Sequence, residues 1–261
     1  DALVVLTSHP ILDAGIGLQC LKSSKAELPQ NVSAVWHGFR MAFRASLLKS
    51  PDEVSRMFDD VAPRYDFMND LLSFGLTPAW RRATTKAIAP QPGELILDLA
   101  AGTGTSGVPL NAAGAKVIAA DLSTGMLRVG ISRAPQLDYL AANALELPFK
   151  DGVFDAVTMS FGLRNVPDTS LALRELYRVT KPGGRIVICE FSHPTLPVLK
   201  QLYPFYLQHV MPLVSKLGSN PESYEPPGET ILAWPTQEGL ARLISDAGWQ
   251  GENRAERAWH L

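Results

Sequence analysis

Residues 97–110 read Leu-Asp-Leu-Ala-Ala-Gly-Thr-Gly-Thr-Ser-Gly-Val-Pro-Leu. An apolar run ends in Asp98 and passes into the glycine loop Gly102-Thr103-Gly104-Thr105-Ser106-Gly107. Such a loop works through its backbone. Its glycines let the chain turn sharply and approach a ligand, and the helix behind it offers free N–H groups and a positive dipole end. Read literally, the loop is G-x-G-x-x-G, the dinucleotide fingerprint, which is a weak signal alone. Asp98 argues against a pyrophosphate, because a carboxylate beside about two negative charges repels them. It favours a ligand bearing an ammonium and a sulfonium.

Other residues narrow the choice. Asp121 ends the next apolar run, where an acid accepts both hydroxyls of a ribose. That suits NAD and S-adenosylmethionine equally. Asn143 follows the third run and suits an adenine edge. One nucleotide-binding half is then followed by a long lipophilic segment rather than by a second half. Tyr177 and Lys181 match the Y-x-x-x-K pair of short-chain dehydrogenases. Tyr177 falls on a helix, however, and Lys181 in a Pro-Gly-Gly turn away from the strand ends, so a dehydrogenase is disfavoured.

The elements that must position these residues alternate. Apolar runs at 94–100, 115–121, 137–143, 154–162 and 185–191 read as buried strands. Helices are expected from about Ser106 to Ala113, after the capping Ser123, over 169–180, and around Thr236–Ala247. Lys181–Gly184 reads as a turn. This is the pattern of an α/β, Rossmann-like doubly wound sheet with right-handed crossovers, which gathers ligands at the carboxyl ends of its strands. Ahead of it, Pro51–Ala89 reads as helical. Behind it, Leu199–Leu217 is rich in aromatic and aliphatic residues and reads as core or as a groove for an apolar tail.

Bulk properties fit that picture. Of 261 residues, 46% are hydrophobic and 19% charged, with a net charge of −2 that gives no reason to bind nucleic acid. The two cysteines, Cys20 and Cys189, are far apart, and the five histidines lack zinc-ligand spacing, so neither a disulfide framework nor a metal is expected. No apolar run is long enough to cross a bilayer. Residues 1–44 show no sustained period and read as an extension outside the fold, with Met41 a natural start. The folded unit is expected to be 45–261, a helical cap followed by the doubly wound sheet.

Four segments carry a family resemblance. Tyr65–Arg82 (YDFMNDLLSFGLTPAWRR), ILDLAAGTGTS, LPFKDGVFDAVTMSFGLRNVPD and LYRVTKPGGRIVICEFSHPT resemble the menaquinone/ubiquinone-biosynthesis C-methyltransferases. RASLLKSPDEVSRMFDDVAPRYD and NPESYEPPGETILAWPTQ are closer to the demethylmenaquinone branch. The resemblance implies a class I methyltransferase that moves a methyl group from S-adenosylmethionine to a ring carbon of demethylmenaquinol, the last step of menaquinone formation. It implies cofactor binding by Thr103, Asp121, Asn143, Ala144 and Ser160, with Asp98, Ala100, Gly102 and Gly104 shaping the loop. Arg164 is the candidate for stabilising the phenolate or placing a water, and Asn165 for orienting the ring oxygen. Tyr65 and His193 are candidate substrate contacts. The partner would be a polyprenyl quinol, met by a cytoplasmic protein at the inner membrane surface.

The sequence departs from the family at Thr77, at Thr180, and at Ala100, which replaces a loop glycine. It stops at Leu261, where the family continues into a final apolar strand inserted antiparallel beside the fifth. Without that strand, the fifth strand is expected to keep an unpaired edge. Two other readings follow: a benzoquinol methyltransferase, and a cofactor-binding protein without turnover.

Overall fold

The computed structural model describes residues 2–8, 66, 70, 75–191, 205 and 234–257. In chain order its elements are β1 (Ala2–Ser8), α1 (Thr77–Ile88), β2 (Leu95–Leu99), α2 (Gly107–Ala112), β3 (Lys116–Asp121), α3 (Thr124–Arg133) and β4 (Asp138–Ala141). There follow β5 (Phe154–Ser160), a 3-10 turn at Leu163–Asn165, α4 (Thr169–Val179), β6 (Thr180–Phe191), α5 (Gln237–Asp246) and β7 (Gln250–Arg257). One seven-stranded sheet has the order β4-β3-β2-β5-β6-β1-β7.

The five strands expected from the apolar runs pair in parallel, β3 and β5 flanking β2. Alternation along each strand sends neighbouring side chains to opposite faces. Leu97, Leu99, Val157, Met159, Ile186 and Ile188 share one core with α4 and α5. Ile96, Val117, Ala119, Ala156, Val187 and Cys189 share the other with Trp80 and Ile88 of α1 and Leu110 of α2. Both faces are covered, which is why these strands are continuously apolar. The helices start at side-chain caps: Ser123 accepts from Met126 N–H, Asp168 from Leu171 N–H and Thr236 from Gly239 N–H.

The turn expected at Lys181–Gly184 is a bulge within β6. Phe154 pairs Thr180 and Ala156 pairs Arg185, so four residues loop out opposite Asp155 alone. Gly183 takes φ of 80° there, and Lys181 Nζ donates to Asp155 Oδ1 at 2.6 Å. Tyr177 packs edge-on against Trp249. The Tyr-x-x-x-Lys pair therefore stands at the amino end of β5, remote from the ligand edge, and serves packing and a salt bridge.

The edge left open in the sequence reading is filled. β1 lies antiparallel against β6, from Ala2 opposite Phe191 to Ser8 opposite Arg185, and β7 pairs its other side. Part of the stretch read as outside the fold thus completes the sheet; residues 9–44 lie outside the described residues. The physical reason is the bare row of N–H and C=O groups along β6, which Ala-Leu-Val-Val-Leu-Thr-Ser can pair with high strand propensity. The outer strand β7 carries Glu252, Arg254, Glu256 and Arg257 in its sequence, a composition suited to a sheet edge.

Val5→Pro removes a ladder N–H from this inner strand. It is expected to lower the thermal midpoint by about 5–10 °C and to speed amide exchange along Ile186–Phe191; hydrogen-exchange mass spectrometry reads both segments.

Candidate functional site

The glycine loop is built around Asp121. Its Oδ2 accepts from Gly102 N–H and its Oδ1 from Ser123 N–H, both at 2.8 Å. One carboxylate at the end of β3 thus ties the loop after β2 to the cap of α3. Gly102 and Gly104 need positive φ, 57° and 75°. A Cβ at Gly104 would strike the Tyr139 hydroxyl, so that glycine serves close packing against β4. Ala100 also sits at positive φ, 54°, where a loop glycine would be relaxed. Its methyl group fills the space that a Cβ on Gly162 would need.

Asp98 lies under this loop. It is 1% exposed, and neither carboxylate oxygen has a hydrogen-bond partner. Burial, and secondly the charge of Asp121, push its pKa up to about 7. A buried carboxyl of this kind is a site prepared for a cation, because an ammonium would remove both penalties.

A cleft opens at the carboxyl ends of β2, β3 and β5. Gly102, Asp121, Asn143, Ala144, Ser160 and Asn165 line it. Asn143 Oδ1 accepts from Leu145 N–H at 3.0 Å, which fixes the amide. The loop behind it is anchored to α4, since Leu147 N–H donates to Glu175 Oε2 at 2.8 Å. Arg178 clamps the same loop through the carbonyls of Leu147 and Phe149. A second, smaller cavity lies on the other side of the loop and includes Asp98, Thr103 and Ser160. Eight of the nine residues expected to bind the cofactor or shape its loop therefore border the two cavities, and Gly104 packs behind the loop against Tyr139.

Arg164 is placed differently from the free guanidinium expected at the reaction centre. Its side chain is 9% exposed, and NH1 donates to Glu190 Oε1 at 2.7 Å and to the Phe161 carbonyl at 2.5 Å. Glu190 is fully buried and also accepts from the backbone N–H groups of Arg164 and Phe191. The guanidinium lies 4.9 Å over the Phe191 ring, and its Nε is buried without a hydrogen-bond partner. Arg164 lines neither cavity, whereas Asn165 next to it does. Trp80, Phe161 and Phe191 cluster against this unit, with Phe161 and Phe191 centroids 4.9 Å apart. Tyr65, His193 and nearly all of the 199–217 segment lie outside the described residues; Phe205 in that segment is 57% exposed.

Arg81 and Thr105 are not singled out by the sequence patterns as ligand contacts, whereas Asp66 stands in a segment read as covering the cofactor and Glu190 at the end of the fifth strand. The only signal for Arg81 was its place in the family-like segment AWRR.

Asp98 makes stability fall with pH. Its folded pKa lies above its unfolded value, so the contribution is intact below pH about 4 and lost as pH rises through about 7. Asp98→Asn removes that loss. Its stability relative to the parent should rise by about 2–4 kcal/mol between pH 4 and pH 8, measured by urea unfolding.

Comparison with known proteins shows the family and the fold. Residues 46–256 match the model of the ubiE/COQ5 methyltransferase family. The chain is 57% identical over 207 residues to the demethylmenaquinone methyltransferase of Streptomyces avermitilis, covering 79% of this chain and 90% of that one. It is 53% identical over 207 residues to that of Mycolicibacterium gilvum, with the same coverages of 79% and 90%. Among solved structures, a SAM-dependent methyltransferase of Thermotoga maritima superposes with a TM-score of 0.56 at 22% identity, over 76% of this chain and 81% of that one, a likeness of fold. The chain belongs to the ubiE/COQ5 methyltransferase family.

Proposed function

We propose that this protein transfers a methyl group from S-adenosylmethionine to a ring carbon of demethylmenaquinol. The observation that carries the reading is Asp98, an unpartnered buried carboxyl between a glycine loop and a cleft edged by Asp121 and Asn143. Those groups fit a ligand with an ammonium, a ribose and an adenine. The relatives at 51–57% identity named demethylmenaquinone methyltransferase supply the acceptor.

Bound S-adenosylmethionine supplies a methyl group made electrophilic by its sulfonium. Asp121 offers its remaining lone pairs to the ribose hydroxyls, and Asn143 and Ala144 border the adenine. Ser160 borders both cavities and Thr103 the smaller one. Asn165 reaches the cleft and orients the quinol oxygen whose ionisation makes the ring carbon nucleophilic. A guanidinium does not act as a base near neutrality. Arg164 instead fixes the turn that carries Asn165, through its bonds to the Phe161 carbonyl and Glu190. Glu190 neutralises Arg164 and holds it to the end of β6. The polyprenyl tail lies along the 199–217 segment, and the protein meets the membrane from one side. No helix among the described residues is long and apolar enough to cross it.

A methyl-transfer assay with a short-chain demethylmenaquinol tests the reading. Transfer should appear with S-adenosylmethionine and vanish with the nucleoside product in excess. Arg164→Lys should keep the affinity for S-adenosylhomocysteine within about threefold and lower kcat at least about tenfold; an unchanged kcat removes Arg164 from the mechanism. Binding the nucleoside should also release a proton near pH 7, because the ligand ammonium lowers the pKa of Asp98. Titration calorimetry in buffers of different ionisation heat reads that proton, and Asp98→Asn should abolish it.

A further inference from the structure

Four residues border both cavities: Ala100, Gly102, Ser160 and Phe161. Three of them hold left-handed backbone, Ala100 with φ of 54°, Gly102 and Phe161 with φ of 57°. Glycine adopts that conformation freely, but for a side chain as large as phenylalanine it is a strained one. Phe161 is restrained there from three sides. Its N–H donates to the Cys189 carbonyl at 2.7 Å, and its carbonyl accepts from Arg164 NH1. Its ring packs on Trp80 and Phe191, with centroids 5.2 Å and 4.9 Å away. The ion pair with Glu190 fixes the Arg164 donor in turn. The other three residues bring a methyl group, a hydrogen and a hydroxymethyl group to the boundary. Among the described residues, Phe161 is thus the one aromatic side chain where the cavities meet.

The donor reading above says which part of the ligand passes that boundary. Its adenosine lies in the larger cleft and its ammonium goes to Asp98 in the smaller cavity, so the sulfur joining the two halves lies between them. We propose that the Phe161 ring contacts the sulfonium there and selects the charged methyl donor over its neutral product. The proposal rests on the donor reading and adds to it a residue that senses charge rather than shape. The electron-rich face of an aromatic ring attracts a ligand cation. The product of methyl transfer carries an uncharged thioether at the same place, which the ring holds no more tightly than an aliphatic wall would. The restraints on Phe161 fit this role, because they keep the ring at the boundary before a ligand arrives, so that binding does not have to order it.

Titration calorimetry on the full chain, without acceptor, reads the selection directly. The probes are S-adenosylmethionine, S-adenosylhomocysteine, and sinefungin, which carries an ammonium on the carbon that replaces the sulfonium. Phe161→Leu should weaken S-adenosylmethionine and sinefungin by about 3–30-fold and S-adenosylhomocysteine less than about twofold. Exchange of Phe161 for pentafluorophenylalanine keeps the ring and its packing but removes the negative potential of its face, so the same two charged probes should weaken and the neutral one should not. Equal weakening of all three probes by either replacement assigns Phe161 a packing role and overturns the proposal. Unchanged binding of the charged probes to the fluorinated protein overturns it as well, even where Phe161→Leu fails to fold. A parent chain that binds none of the three probes overturns the donor reading itself.

Discussion

Asp98 spends the folded state inside the sheet with neither oxygen hydrogen-bonded, a cost that few buried carboxyls bear. Much of the surrounding architecture makes that cost useful. β3 and β5 flank β2 and shut water out. The glycine loop covers the carboxyl from above, and Asp121 is spaced to add a little repulsion without offering a hydrogen. The group is held half-ready to ionise near neutrality. A cation brought against this carboxyl would remove that cost.

A second buried charge is treated in the opposite way. Glu190 is as deeply buried as Asp98, yet it accepts hydrogen bonds from Arg164 and from two backbone N–H groups. The pair joins the end of β6 to the turn after β5, and the Trp80–Phe161–Phe191 cluster closes over it. Pairs of this kind add little net stability against an apolar replacement, and lose much when one partner is removed. What the pair contributes here is geometry. It fixes where Asn165 enters the cleft.

The sheet shows how strongly an unpaired edge directs a chain. β6 carries Cys189, Glu190 and Phe191 into the site region, and its outer edge is satisfied by Ala2–Ser8. The segment that pairs with the end of β6 also braces the residues that hold Arg164. Leu3 opposite Glu190 and Ala2 opposite Phe191 are the register positions that matter. The support of the site thus extends to a strand drawn from the far end of the chain.

Local rules were enough for much of this protein. Apolar runs, the cap at Ser123 and the polar residues ending each run determined the five parallel strands, their helices and the edge at which the cleft opens. Asp98, Asp121, Asn143 and Ser160 were legible because a parallel sheet must place strand-end residues together. Tertiary structure decided what depends on distance between remote segments. The partner of Arg164 is a carboxylate 26 positions away, and nothing in FGLRNV announces it. Arg81 reaches the glycine-loop cavity because α1 packs against the sheet on that side, and Asp66 meets the loop through Thr103, 37 positions away. β1 filled an edge that no local pattern could assign, since backbone pairing reads propensity and available hydrogen bonds rather than sequence order.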